Sequence, residues 1–131
     1  MNRGNARQHR LRTAARVAFC TYAPLLFIAT HWPGLRVEGP VPRSDLLAHL
    51  GAFGLWGLLF IACAWFGPAL SARNIDRAGL IGLIYAAIDE ALQGVPGLNR
   101  FVSVQDWLAN ALGIVCAVLA ASFASRLMPR A

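Results

Sequence analysis

Four blocks of apolar sequence, separated by short connections rich in proline, glycine and arginine, leave this chain few ways to fold. The blocks cover approximately residues 14–32 (AARVAFCTYAPLLFIATHW), 46–66 (LLAHLGAFGLWGLLFIACAWF), 77–93 (RAGLIGLIYAAIDEALQ) and 105–127 (QDWLANALGIVCAVLAASFASRL). Each is near the ~20 residues that a helix needs to cross a bilayer. The third is the shortest, and its end is polar. The connections at 33–44, 67–76 and 94–104 are short, so helices adjacent in sequence are expected to be antiparallel neighbours. The expected fold is all-α: a polytopic membrane protein built as a four-transmembrane-helix antiparallel bundle.

The charge pattern agrees with a lipid bilayer as the main partner. Of the residues, 57% are hydrophobic and only 14% charged, too few for a soluble surface. All twelve basic residues are arginines, and they flank the apolar blocks as topology signals do, which speaks against a nucleic-acid partner. Arg3, Arg7, Arg10, Arg12, Arg16, Arg73, Arg77, Arg126 and Arg130 fall on one side, and Arg36, Arg43 and Arg100 on the other. That bias predicts a multi-pass membrane protein with both termini in the cytoplasm. Residues 1–13 form a basic cytoplasmic segment and 14–131 the membrane domain. The N-terminus has a signal-peptide flavour, but its apolar stretch is long and lacks an A-x-A-like site, so an uncleaved anchor is expected.

Within the blocks, Gly51, Gly54 and Gly57 recur every third residue and Gly79 and Gly82 sit on the third, a pattern that allows close helix approach in lipid. Pro24 is expected to kink the first helix. Trp32, Trp56, Trp65 and Trp107 fit an interfacial belt except Trp56, which falls mid-block. Cys20, Cys63 and Cys116 lie in different blocks without metal-ligand spacing and read as packed core residues.

Topology alone brings the polar residues together. Asp45 opens block two, Asp89 and Glu90 lie near the end of block three, and Asp106 opens block four. All four acids therefore fall at one depth, the outer side in the expected orientation, with His49, Gln93, Arg100 and Asn110. Asp45 and His49, Asp89 and Gln93, and Asp106 and Asn110 are each spaced i,i+4, and Glu90 and Gln93 i,i+3, so each set can share a helix face.

Structural uses are open to some of these. Asp106 suits a helix N-terminus, and SVQD (103–106) fits a capping-box variant with Ser103 as N-cap. Ser44 or Asp45 can cap block two, and Asn110 can join helices. His49 is harder to place, being about one turn inside. Asp89 and Glu90 are placed worst: adjacent like charges near a helix C-terminus, in lipid, where the dipole disfavours anions. They call for a compensating partner, such as Arg100, His49, a bound cation or a proton shared between carboxylates.

At these residues the chain resembles the VanZ-like family of small bacterial membrane proteins. The carrying elements are SDLLAH (44–49), DEALQ (89–93), RFVSVQDWLAN (100–110) followed by Gly113, and ATHWPG (29–34). The family often has a lysine after the Asp of the first element, where Leu46 stands here. The resemblance implies a location in the bacterial cytoplasmic (inner) membrane and a link to teicoplanin (glycopeptide) resistance.

Two function classes follow. One is a binding protein of the cell envelope, whose outward-facing acidic site of Asp45, His49, Asp89, Glu90, Gln93, Arg100, Asp106 and Asn110 holds a lipid-linked or glycopeptide ligand. The alternative is a membrane-embedded enzyme acting on a lipid-linked or cell-wall substrate. It would use unequal carboxylates as acid and base, or a metal held by His49, Glu90 and Asp106. No HExxH-type motif and no evident serine nucleophile accompany it, because Ser44 and Ser103 read as caps. A coupled transporter and a purely structural polar network are weaker readings: four helices are few for the first, and the second leaves the DE pair unexplained.

Overall fold

A computed structural model describes residues 3–35, 43–98 and 100–128. Arg36 and Arg130, used above for orientation, lie outside the described residues. Four helices account for most of the described chain: α1 Arg3–His31, α2 Ser44–Ala62, α3 Ala72–Gln93 and α4 Val104–Leu127. Three of them are long and apolar enough to cross a membrane: α1 from Asn5, α2 and α4. In α3 that apolar character is diluted by Arg73, Asp76, Arg77, Asp89 and Glu90. Its packing nevertheless makes it the fourth member of the bundle. Leu80, Ile81, Leu83, Ile84 and Ile88 face outward, while Asp89, Glu90 and Gln93 are buried. Apolar outside and polar inside is the arrangement of a helix whose solvent is lipid.

The helix ends differ from the sequence expectation for local reasons. The basic N-terminal segment is already helical, and α1 continues through Pro24. α2 ends four residues early, because Ala64 (φ 53°) and Gly67 (φ 148°) turn the chain. α3 begins five residues early, because the Ser71 side chain accepts from the Asn74 backbone N–H and caps it. Asn74, fully buried, pins this turn. Its Nδ2 donates to the Ile61 and Ala69 carbonyls (2.9 Å each), and its Oδ1 accepts from the Phe66 N–H (3.2 Å).

The closest seam is not between sequence neighbours. α2 and α4 share the most extensive contact, α3 and α4 come next, α2 and α3 meet less, and no described Cα of α1 comes within 8 Å of one in α4. α2 and α4 run parallel: Gly54 faces Gly113, and three to four residues on Gly57 faces Ala117. A Cβ on Gly113 would lie 2.4 Å from the Leu50 carbonyl oxygen and 2.8 Å from the Gly54 nitrogen, so the two backbones touch there. Gly79 and Gly82 receive Val118 and Ile114 of α4, whereas Gly51 faces open space and takes no part. Beside this seam Trp56 stacks on Tyr85 (4.9 Å between centroids) and packs against Phe19 and Phe60. Trp56 is thus core, whereas Trp32, Trp65 and Trp107 are exposed near helix ends or in a connection. Of the free cysteines only Cys63 is buried; Cys20 and Cys116 face outward.

Candidate functional site

Parallel α2 and α4 bring two helix N-termini to the same end of the bundle as the C-termini of α1 and α3. There the backbones of α1 and α4 stay more than 8 Å apart, and a cavity of about 470 Å³ opens. Its wall carries Thr30 from α1, Asp45 and His49 from α2, Arg100 from the α3–α4 connection and Asp106 from α4. Leu26, Ala52 and Phe53 provide apolar wall. Asp89, Glu90, Gln93 and Asn110, all at most 2% exposed, are not on this wall but form a buried layer bonded to it.

Each buried group is tied to a cavity residue or a helix end. Thr30 Oγ1 donates to Asp89 Oδ1 (3.2 Å) and also lies 3.1 Å from the Phe27 carbonyl. Tyr85, one turn before Asp89, donates its hydroxyl to the same Oδ1 (3.2 Å). His31 Nδ1 stands 3.8 Å from that oxygen and 2.8 Å from the Phe27 carbonyl, so Nδ1 carries a proton. Asp89 Oδ2 and His31 Nε2 are buried without a hydrogen-bond partner. His49 Nδ1 lies 2.9 Å from Asn110 Oδ1, an oxygen that only accepts, so Nδ1 is the donor in this bond.

Glu90 has the structural use that its sequence position hid. Its Oε1 accepts from the Ser103 backbone N–H at 2.7 Å, and its Oε2 accepts from Gln93 Nε2 at 3.3 Å. Ser103 is the N-cap of α4, its hydroxyl accepting from the Asp106 N–H (3.2 Å). In a capping box, the carboxylate three residues on would bond the N-cap N–H. Here Glu90 of α3 takes that place, and its charge, unfavourable at the end of α3, meets the favourable end of α4. Asp106 is left facing the cavity.

Arg100 does not pair directly with either acid of the DE motif. Its Nε donates to Gln93 Oε1 (3.1 Å), and an Nη donates to the Leu35 and Trp32 carbonyls (3.1 and 3.5 Å). Gln93 thereby relays the guanidinium to Glu90. At α2, Arg43 occupies the N-cap position in a left-handed conformation without a side-chain cap bond, so Asp45 does not cap the helix and stands exposed at the cavity rim.

The structure thus assembles all eight residues expected from the sequence, in two layers. Sequence reasoning missed Thr30, His31 and Tyr85 as the partners of Asp89. Tyr85 carried an i,i+4 signal, and Thr30 and His31 stood inside the ATHWPG stretch. Among the described residues no group of three His, Cys, Asp or Glu side chains gathers as metal ligands, so His49, Glu90 and Asp106 do not form the donor set considered above.

A family model for VanZ/LLP1 matches residues 11–125. The chain belongs to the VanZ/LLP1 family. The match covers α2 and α3 whole, most of α1 and α4, and every residue of the two layers. Searches of curated proteins and of solved structures each found no match.

Proposed function

We propose that this VanZ-like membrane protein binds a charged polar ligand of the cell envelope in the cavity between α1, α2 and α4. The observation that carries the reading is the pairing of opposite charges on one wall: Asp45 and Asp106 against Arg100. A ligand with an amine and a phosphate or carboxylate matches it, the amine meeting the carboxylates and the anion meeting the guanidinium. Lipid-linked headgroups and amine-bearing glycopeptides both have this chemistry, in keeping with the resistance link implied by the family resemblance. The arginine distribution supports an outward-facing mouth in the cytoplasmic membrane, with both termini inside.

The test is calorimetric titration of the protein in lipid nanodiscs with phosphoethanolamine and with teicoplanin. Asp106→Asn and Arg100→Gln are each expected to weaken binding by about tenfold, the loss of one charge-assisted bond, with helicity unchanged. Binding of neither probe, or binding indifferent to both substitutions, defeats the proposal. A second reading, acid–base catalysis on a lipid-linked or cell-wall substrate, draws on one observation: His49 stands on the cavity wall with its ring oriented by the bond from Nδ1 to Asn110. Turnover of such a substrate that His49→Gln abolishes would favour it over binding alone.

A further inference from the structure

On the other side of the α2–α4 seam lies a second concavity, of about 340 Å³. Its walls are Leu46, Leu47 and Leu50 of α2 and Leu108, Ala109 and Leu112 of α4, with Arg43 and Gln105 at one end. The walls are almost wholly apolar, and Leu47, Leu108 and Leu112 are more than half exposed. The seven helical residues from Ser44 to Leu50 make the groove roughly 10 Å long, parallel to the helix axes. Such a slot at the end of two membrane helices lies along the direction of the acyl chains. Its polar end coincides with the helix N-termini, the level of the headgroups.

We propose that this groove is a phospholipid site, in which one acyl chain lies along Leu46, Leu47, Leu50, Leu108 and Leu112 and the lipid phosphate is held by Arg43. The charge decides the occupant. A purely apolar groove would take any chain, whereas a guanidinium at its mouth matches the planar, two-point acceptor geometry of a phosphate. The aliphatic stem of Arg43 can lie on the leucines while its head stays at the polar interface. Among the described residues Arg43 makes no ion pair with a carboxylate. This site is separate from the polar cavity, which uses Asp45 and Asp106 on the opposite sides of the same first turns.

The experiment is native mass spectrometry of the full chain released from nanodiscs. The discs contain either palmitoyl-oleoyl phosphatidylglycerol in phosphatidylcholine, or the matched diacylglycerol in phosphatidylcholine. The expected result is one retained phospholipid per chain and no retained diacylglycerol. Arg43→Asn removes the charge with a residue that tolerates the left-handed backbone found there (φ 62°). It is expected to cut retention by about tenfold, one charge-assisted contact, at unchanged helicity. Leu108→Trp, an exposed position on the groove wall, should also reduce retention by filling the slot. Arg100→Gln and Asp106→Asn should leave retention as in the parent, which separates this site from the cavity. Equal retention of diacylglycerol, full retention by Arg43→Asn, or no retained lipid would overturn the proposal.

Discussion

Replacing Gly113 by alanine should damage this bundle, although the same change in an ordinary helix helps. Alanine is favoured over glycine in a helix interior by about 1 kcal/mol. Against that stands the space available: the new Cβ would sit 2.4 Å from the Leu50 carbonyl oxygen and 2.8 Å from the Gly54 nitrogen. Both are backbone atoms of α2 and cannot rotate away as a side-chain tip can. The helices must separate by several tenths of an ångström along their most extensive contact. Overpacking a tight contact costs about 1–3 kcal/mol, and a backbone obstacle argues for the upper end, leaving a net loss of about 1–2 kcal/mol. The effect should reach the cavity, because the His49–Asn110 bond of 2.9 Å spans the same seam one turn away. Gly51→Ala is the internal control: nothing lies within 4 Å of its Cβ, so it should be neutral or stabilising. Reversible unfolding in mixed micelles, read by circular dichroism, gives both values. A Gly113→Ala protein as stable as Gly51→Ala would refute a backbone-to-backbone seam between α2 and α4.

Other substitutions address the buried layer. Glu90→Gln keeps an oxygen for the Ser103 N–H and should cost less than Glu90→Ala, which leaves that N–H unpaired at about 1–3 kcal/mol; unfolding in the same micelles ranks them. Asn74→Leu should lower stability by a similar margin or more, about 2–4 kcal/mol, because three backbone groups lose their partner at once; faster proteolysis within 63–71 is the independent check. Thr30→Val preserves shape but withdraws a donor from Asp89. Its cost should be about 1 kcal/mol, and combination with Tyr85→Phe should be more than additive, since both serve the same oxygen; a double-mutant cycle measures the excess.

Three helices, α1, α2 and α4, were readable because lipid imposes a simple rule, a long apolar stretch for each crossing, and α3 was readable from its apolar run 78–88 in spite of its charged ends. The depth at which Asp45, His49, Asp89, Glu90, Arg100 and Asp106 meet followed from topology alone. What could not be read was lateral arrangement. Sequence neighbours do pack together, as the short connections suggested, but the tightest seam joins α2 to α4, where the α2 glycines fit Gly113 and Ala117, and van der Waals fit decides helix partners in lipid. Contacts between helices that are not sequence neighbours also explain why Thr30 was missed. Nothing local in α1 announces that its last turn lies against the end of α3, although those two helices run parallel and meet at Asp89.

The placement of the carboxylates links fold to site. An acid at the end of α3 is costly by itself, and the N-terminus of α4 has an unpaired N–H that a neighbouring acid ordinarily takes. Bonding Glu90 to Ser103 relieves both, and it releases Asp106 from capping duty onto the cavity wall. Asp89 has no such helix end to serve. Its Oδ1 is held by two hydroxyl donors beside His31, while Oδ2 is buried and unpaired. Of the adjacent pair, Glu90 is therefore accounted for by the fold, and Asp89 is the residue whose burial calls for an explanation in function. The two should part in experiment: Glu90→Gln should retain ligand binding with modest loss of stability. Asp89→Asn should retain stability, its amide NH₂ being turned to the Oδ2 side, and lose binding, if Thr30 transmits the state of Asp89 to the cavity wall. Equal behaviour of the two variants in nanodisc titrations and unfolding would show that the fold uses both acids alike.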